Sequence, residues 1–234
     1  MNPRGMPRQA YRHFGSVCTN SNPAQFTLGN ANPMSLSINR KAAPTVAPFI
    51  LNRWSPRAFT PDEITQAELL SILDAGRWAP SAYNAQPWRF IYAHRNTPDW
   101  ERFLSWFIPF NRSWAENASA IVYIASRSVI DSSSTDEPVE LPSHAFDAGA
   151  ASILIQLQAN QNGWFARPVS GFDKSLAHAG LELPEDHIVH AALVIGHRGK
   201  VSQLPENLQA KEQPSNRVPL ASIAFEGRLI HKTL

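Results

Sequence analysis

An apolar face at helical spacing follows Thr60 in the chain. Its members are Ile64, Leu69, Leu70, Ile72, Leu73 and Ala75. Thr60 is a favourable N-cap, Pro61 suits the first helical position, and Glu63 stands where a capping box requires an acid. The pattern therefore predicts a helix that begins at Thr60.

Two more segments have the spacing of helices. The apolar residues of the first are Trp100, Phe103, Leu104 and Phe107. The second runs from Phe146 to Asn160 and combines Ala, Gly, Ile, Leu and Gln, so that one face carries small residues. Gly163 is predicted to end this long helix. A face of small residues allows close packing, which would suit contact with a second copy of the chain.

Three apolar runs predict strands, at residues 90–93, 120–125 and 189–195. The run 120–125 is apolar throughout, as expected of a buried central strand, and Gly196 closes the third run. Residues 127–142 and 199–216 are polar and are predicted to be a linker and a loop. The C-terminal segment could add a strand, or an arm to a partner, through Ile223, Phe225, Leu229 and Ile230.

The order of these elements indicates the fold class. Strands are interleaved with helices, but without the regular cadence of a doubly wound sheet, so we predict an α+β fold. A chain of 234 residues suits one domain. We place that domain at residues 46–234. Residues 1–45, rich in Asn, Pro, Ser, Gly and Arg, are assigned to a disordered or targeting-like N-terminal tail.

The first 40 residues leave two interpretations open. Arg and Ser without acidic residues are typical of an organelle transit peptide. The simpler interpretation, which we favour, is a tail or a start-site artefact, because Met34 could begin a shorter protein. Cys18 is the sole cysteine, which excludes an internal disulfide and favours a reducing compartment. We therefore expect a cytoplasmic protein.

Charge is unevenly distributed along the chain. The net charge is +2, yet residues 1–61 hold seven of the 21 basic residues and no acidic one. The remainder has 14 basic and 19 acidic residues, a net charge of −5. This mildly acidic body argues against a nucleic-acid partner. No run is apolar and long enough to cross a bilayer, so we expect no membrane partner.

Two arginines flank a serine in Arg53-Trp54-Ser55-Pro56-Arg57. In an extended segment, side chains two residues apart face the same way. Arg53, Ser55 and Arg57 could therefore present two guanidinium groups and a hydroxyl to one anion, such as a phosphate. The alternative is a solvated basic segment before a helix.

A polar loop, Pro80-Ser81-Ala82-Tyr83-Asn84, joins the first helix to the first strand. Its small residues allow close approach to the backbone, and its amides and polar side chains offer hydrogen bonds to a flat, polar-edged ligand. The alternative is a helix stop followed by the start of an edge strand.

Three shorter motifs are further candidates. Ser170-Gly171 follows a short strand and offers two backbone N–H groups, although a plain turn with Asp173 as a helix N-cap explains it equally well. Asn111 lies between two aromatic-rich stretches, and Arg217 lies in a late polar loop.

Several other kinds of site are not indicated. The chain has no G-x-G-x-x-G motif for a dinucleotide. Its eight histidines form no H-E-x-x-H motif, and there are no paired cysteines, so we expect no metal site. His144 near Asp147 could suggest acid–base chemistry, but no nucleophile elbow accompanies them, and a helix-start residue is the favoured interpretation.

The ordered set of motifs resembles the FMN-dependent nitroreductase family. R-x-S-x-R is followed by A-P-S-x-x-N-x-Q-P-W-R-F, then F-N, S-G-F-D and P-x-x-R-x-P, over roughly residues 50–227. The resemblance implies an α/β/α sandwich with a central, mostly antiparallel sheet. It also implies an intertwined homodimer, with FMN at each of two subunit interfaces.

The resemblance implies roles for the candidate residues at the phosphate end of FMN. Arg53 and Arg217 would bind the phosphate. Ser55 and Arg57 would reach the phosphate, the ribityl chain or the O2 edge of the ring, and Trp54 belongs to the same site. Some relatives carry lysine where this chain has Ser215, so phosphate binding would depend more on Arg53, Arg217 and Arg198.

At the ring end, the resemblance implies contacts from two subunits. Pro80, Ser81 and Ala82 would pack on the flavin from the partner subunit, with Asn84 nearby. Asn111 would bond the pyrimidine edge. Ser170 and Gly171 would offer backbone N–H groups to N5 and O4.

Family members take hydride from NADH or NADPH onto FMN and then reduce a second substrate in the same cavity. The resemblance therefore implies a ping-pong oxidoreductase that acts on nitroaromatics, quinones or related small electron-poor compounds. No protein acid or base need be essential, so we name no catalytic residue. Two alternatives stay open. One is a specialised member, a reductive dehalogenase or flavin-fragmenting enzyme with a different lid at residues 100–116 or 127–143. The other is a non-catalytic FMN-binding protein.

Overall fold

In the computed structural model, the centre of the protein is a four-stranded antiparallel sheet in the order β1-β2-β6-β5. The structure describes Arg40, Ala42 and residues 45–132 and 137–229. The strands of the main sheet are β1 Trp88–His94, β2 Ala120–Arg127, β5 Phe165–Val169 and β6 His187–Gly196. The three strands predicted from apolar runs are confirmed, and β2 is central and buried along nearly its whole length. A separate hairpin pairs β3 Val129–Ile130 with β4 Val139–Glu140.

Helices cover both faces of the sheet. They are α1 Pro48–Asn52, α2 Gln66–Gly76, α3 Pro98–Ser105, α4 Pro109–Ala115, α5 His144–Gln161, α6 Lys174–Gly180 and α7 Glu206–Gln209. Gly163, at a φ of 84°, lies just beyond the C-cap of α5 and ends the helix as predicted. The predicted α+β fold, with helices on both faces of an antiparallel sheet, is confirmed.

The hydrophobic core has two halves, one on each side of β2. Val122 and Ile124 belong to the half beneath α2 and α5, with Leu69, Ile72 and Ile155. Tyr123 lies between them in sequence and points to the other half, among Trp100, Phe103, Trp114 and Ala177 from α3, α4 and α6. This alternation follows from the period-two geometry of a strand.

The predicted start of α2 is wrong. Its N-cap is Thr65, whose hydroxyl accepts from the Glu68 backbone N–H, while the Glu68 carboxylate accepts from the Thr65 N–H at 3.0 Å. Two capping-box patterns follow each other in the sequence, and the side chains of the first bond other residues instead of capping α2. The Thr60 hydroxyl donates to Asp62 at 2.7 Å, and Glu63 accepts from Asn96 at 2.6 Å.

Three segments predicted to be irregular, or left open, differ in detail from those predictions. The linker 127–142 contains the hairpin of β3 and β4. The loop 199–216 contains a 3-10 turn at Val201–Gln203 and helix α7, where Leu204 and Leu208 are buried. In the C-terminal segment 221–234, of which residues 221–229 are described, the end of a 3-10 turn at Leu220–Ser222 is present and no strand forms in the described part. Phe107 lies beyond the end of α3 and forms an isolated bridge with Phe172.

The proposed N-terminal tail, with Cys18 and Met34, lies almost entirely outside the described residues, as does Ile230. The described residues fall within one compact unit that spans Ser35–Leu234. None of the helices described is both long and apolar enough to cross a membrane.

Candidate cofactor-binding site

The segment between α1 and α2 has the extended geometry that the R-x-S-x-R motif predicts. Trp54 is buried, whereas Arg53, Ser55 and Arg57 are half-buried and share the opposite side. Arg53 Nη1 donates to Ser55 Oγ at 3.1 Å and lies 3.5 Å from Gln156 Oε1 on α5. The long helix thus contributes to fixing the position of the first arginine.

Arg57 is held by a buried carboxylate from a distant part of the chain. Glu212 Oε1 accepts from the backbone N–H of Arg57 at 2.7 Å and of Ala58 at 2.9 Å. Its second oxygen lies 4.0 Å from Arg57 Nη1 and has no hydrogen-bond partner. The two N–H donors and the charged neighbour offset the cost of burying this carboxylate. It ties the segment before Arg217 to the early motif.

Three arginines form a cationic cluster at the end of α1. Arg53 has its pKa lowered first by burial and then by the positive charges of Arg40 and Arg217. Arg40 Nη1 donates to the carbonyl oxygens of Leu51 at 2.6 Å and Arg53 at 2.9 Å. None of the three arginines forms an ion pair with a carboxylate of the described residues. The cluster therefore suits an anion of high charge.

Arg217 is exposed, and its own loop holds its guanidinium group. Nη1 donates to Ser215 Oγ at 2.9 Å and to the carbonyl oxygen of Asn216 at 3.0 Å. The serine at position 215 therefore orients the late arginine. This contact uses part of the donor set of Arg217 and leaves the rest of the guanidinium group exposed.

Two further arginines lie behind the motif. Arg167 on β5 donates to the carbonyl oxygen of Ser55, and its guanidinium carbon lies 5.3 Å from the Trp114 ring. Burial, together with the charge of Arg57, lowers the pKa of Arg167 to about 10, against the opposing effect of Glu212. Arg198 lies 5.3 Å from the ring of Trp54, on the buried side of the segment.

The loop 80–84 is strained and anchored to the start of α5. Tyr83 and Asn84 have φ values of 55° and 54°, in the left-handed region that non-glycine residues rarely adopt. The Ala82 N–H donates to the buried carboxylate of Asp147 at 3.2 Å, and Ser81 Oγ accepts from the Gln86 N–H at 3.0 Å. Such strain persists only where surrounding contacts impose it, and it is commonest at ligand-binding sites.

Asn111 and Gly171 are in direct contact. Asn111 Nδ2 donates to the Gly171 carbonyl oxygen at 2.9 Å. A Cβ atom on Gly171 would lie 2.4 Å from that same nitrogen, so only glycine permits the approach. Ser170 is exposed beside them, and Asp173 is the N-cap of α6, as predicted. The predicted N-cap role of Asp173 is therefore confirmed.

The candidate residues fall into three groups within one chain. Arg53, Ser55, Arg57 and Arg217 lie at the arginine cluster, and Asn111 lies with Gly171. The loop 80–84 is joined to α5 at Asp147, whereas Arg53 lies near Gln156. These two positions are nine residues apart, about 13 Å along the helix axis. Nothing among the described contacts joins the loop directly to the arginine cluster.

A family model described as the Nitroreductase family matches residues 50–109, which include the early arginine motif and the strained loop. The fold is also similar to that of an oxidoreductase containing FMN, known from its crystal structure. That protein is 42% identical, with a TM-score of 0.81, and the alignment covers 85% of this chain and 100% of that one. This chain belongs to the nitroreductase family.

Two named relatives are similar over shorter stretches to this member of the nitroreductase family. YdgI of Bacillus subtilis (strain 168), which carries the name of an NAD(P)H nitroreductase, is 25% identical over 147 residues, 48% of this chain and 68% of that protein. The CLA biosynthesis enone reductase of Lactiplantibacillus plantarum is 34% identical over 94 residues, 39% of this chain and 42% of that protein.

Sequence reasoning did not identify three residues of the candidate site, namely Arg40, Arg167 and Glu212. Arg40 falls in the segment assigned to the tail. Glu212 is one acid within a polar segment, and no local pattern marks it as buried. Arg167 lies on a strand whose partners become known only from the fold. Across the described residues, no group of three or more His, Cys, Asp and Glu side chains is placed to hold a metal ion.

Proposed function

We propose that this protein is an FMN-dependent oxidoreductase that takes hydride from NADH or NADPH and passes it to a small electron-poor acceptor. Nitroaromatics, quinones and related conjugated compounds are the proposed acceptors. Support comes from membership of the nitroreductase family, from a 42% identical oxidoreductase containing FMN, and from a relative named as an NAD(P)H nitroreductase.

The observation that carries the proposal is the arginine cluster at the end of α1. Arg53 and Arg217 lie close enough for their charges to lower the pKa of Arg53. A phosphate dianion would relieve this repulsion and accept charge-assisted hydrogen bonds. Ser55, already bonded to Arg53, adds a hydroxyl to the same end, and Trp54 beneath it packs on Phe165. These residues fit the phosphate end of FMN.

At the ring end, we propose that the Asn111–Gly171 contact forms the edge of the flavin pocket. The glycine allows the amide side chain to lie against the backbone, where Asn111 would bond the pyrimidine edge. The N–H groups of Ser170 and Gly171 would serve N5 and O4. Arg57 would lie near O2, where a positive charge stabilises the negative charge of the reduced ring.

When bound, FMN supplies the hydride-accepting and hydride-donating chemistry. The residues of the chain bind the ring, orient it and set its electrostatic surroundings. No side chain is assigned as a general acid or base. Both the nicotinamide donor and the second substrate would occupy the same cavity in turn, which predicts ping-pong kinetics.

We further propose that the active form is a homodimer. Tyr83 and Phe146 are 90% and 81% exposed, and they adjoin the contact between Ala82 and Asp147. Trp78, at the end of α2, is 74% exposed. Large exposed aromatic residues are typical of interaction surfaces. In a dimer, Pro80, Ser81, Ala82 and Asn84 would complete the flavin site of the partner subunit. The cytoplasmic location stays a prediction from the cysteine content.

The proposal is tested by reconstituting the purified chain with FMN and measuring initial rates with NADH or NADPH against a nitroaromatic, a quinone and an enone. Parallel lines in double-reciprocal plots are expected for a ping-pong reaction. Bound FMN that neither nicotinamide reduces would support a non-catalytic FMN-binding protein. Turnover restricted to a halogenated acceptor, or consumption of the flavin itself, would support a specialised family member.

A further inference from the structure

Arg40 lies outside the segment matched by the family model, yet it contacts the candidate phosphate site. Its Nη1 donates to the carbonyl oxygens of Leu51 and Arg53, at 2.6 and 2.9 Å. The family match begins at residue 50. A residue of the N-terminal segment is thereby fixed against the backbone of the first arginine of the R-x-S-x-R motif.

The hydrogen bonds of Arg40 leave part of its guanidinium group unused. A guanidinium group has five N–H donors, and the buried Nε of Arg40 has no hydrogen-bond partner. An orphaned donor at a buried position costs free energy until a partner arrives. A helix-capping arginine that served only the last carbonyl groups of α1 would gain nothing from this arrangement.

Within the described part of the chain, no carboxylate balances the positive charges around Arg40. Arg53 and Arg217 are its charged neighbours, and no carboxylate of the described residues pairs with Arg40. Like charges gathered without an anion destabilise the site, and a bound phosphate would offset that repulsion.

We propose that Arg40 is a third arginine of the FMN phosphate site, where it acts with Arg53 and Arg217. The inference rests on the proposed FMN function and names a ligand-binding residue that the family motifs do not contain. It makes the segment before α1 part of the cofactor site.

Arg95 provides a matched control. It follows β1 and also donates to two backbone carbonyl groups, those of Asn117 at 3.3 Å and of Pro61. Its charge acts on Asp62, and it is not among the charges that act on Arg40 or Arg53. Arg95→Ala therefore removes an arginine with the same kind of backbone contacts that is not part of the arginine cluster.

The experiment measures the dissociation constants of FMN and riboflavin for the full chain and for Arg40→Ala, Arg40→Lys and Arg95→Ala. Riboflavin lacks the phosphate, so it reports everything except the proposed contact. Arg40→Ala is expected to weaken FMN binding by about 10- to 100-fold, the effect of one charge-assisted contact, and to leave riboflavin binding unchanged. Arg40→Lys should restore part of the loss, and Arg95→Ala should change neither constant.

Equal weakening of FMN and riboflavin by Arg40→Ala would overturn the inference, because Arg40 would then act only by holding α1. Unchanged FMN binding in that variant would overturn it as well. If the unaltered chain binds FMN no better than riboflavin, the phosphate site itself fails, and the inference fails with it. Tight binding of FMN by the unaltered chain with no effect of Arg40→Ala would leave the proposed function intact and remove this inference alone.

Discussion

Glu212 accepts a hydrogen bond from the backbone N–H of Arg57 at 2.7 Å, across 155 residues of sequence. The same oxygen accepts from Ala58, and Glu212 is only 5% exposed. Glu212→Ala leaves two buried N–H groups unsatisfied and is expected to lower the free energy of unfolding by about 2–4 kcal/mol. Glu212→Gln, which keeps an oxygen acceptor, should cost less. Urea denaturation measures both, with the exposed Glu116→Ala as control. A Glu212→Ala protein as stable as the control would show that Glu212 does not stabilise the backbone at Arg57 and Ala58.

The capping box of α2 gives a second prediction. Thr65→Ala removes the hydroxyl that accepts from the Glu68 N–H and should lower the free energy of unfolding by about 1 kcal/mol. Thr60→Ala removes only an exposed contact with Asp62 and should cost less. The two variants remove the same atoms, so urea denaturation compares them directly. A larger effect at Thr60 would restore the helix start that the sequence predicted.

Much of the fold could be predicted from the sequence because its signals are local. The run 120–125 is apolar throughout since both faces of β2 are buried, and Gly163 ends α5 through its own conformational freedom. The start of α2 could not be chosen between Thr60 and Thr65, because both sequences fit a capping box. In the folded chain, Thr60 bonds Asp62 and Glu63 bonds Asn96, so these two side chains do not form a capping box.

The candidate site could be predicted only in part from the sequence, because several of its residues are positioned by contacts between distant segments. The motif Arg53-Trp54-Ser55-Pro56-Arg57 could be recognised from its spacing and its resemblance to a family. Glu212 and Arg40 could not, because each acquires its role only when distant segments meet. The Asn111–Gly171 contact explains why a glycine stands in the S-G-F-D motif.

A pH dependence of stability is expected from His190. The hydroxyl of Ser126 lies 2.6 Å from His190 Nε2 and 2.7 Å from His144 Nδ1. Burial lowers the pKa of His190, and the charges of His144 and Lys174 lower it further. Below the ordinary histidine pKa of about 6.5, the unfolded chain therefore binds a proton that the folded chain resists. The stabilising contribution is complete above that pH and is lost as the pH falls towards the folded pKa.

The measurement for His190 is urea denaturation at about pH 7.5 and about pH 5.5. The unaltered chain should lose up to about 1.4 kcal/mol more than His190→Gln between the two values. The pKa of His94 is also lowered by burial, so its contribution is common to both proteins. An identical loss in the two proteins would show that His190 titrates as an exposed histidine.

The proposed dimer predicts the effect of a charge at Phe146. Phe146→Glu places a carboxylate at an exposed aromatic position next to Asp147, which accepts a hydrogen bond from Ala82 in the loop 80–84. A charge at a central position of an interface should weaken association by at least about 100-fold. The variant is therefore expected to be a monomer at micromolar concentration. Because the loop 80–84 would then lack a partner site, FMN affinity should fall as well. Light scattering and FMN titration measure the two effects.

Leu176→Glu is the control for Phe146→Glu. Leu176 is an exposed apolar residue on α6, in the helical layer on the other side of the sheet. Leu176→Glu should leave both the dimer and the FMN affinity unchanged. If Phe146→Glu stays dimeric and binds FMN as the unaltered chain does, the aromatic surface is not the interface.

Anaerobic titration of the FMN-loaded protein with NADPH, and separately with NADH, tests the central claim most directly. The flavin absorbance should bleach with one equivalent of at least one of the two donors and return when a quinone or nitroaromatic is added. No side chain is assigned as an acid or base, so alternate additions of donor and acceptor should repeat the cycle with solvent as the proton source. A protein that cannot be loaded with FMN, or a bound flavin that neither donor reduces, would contradict the account.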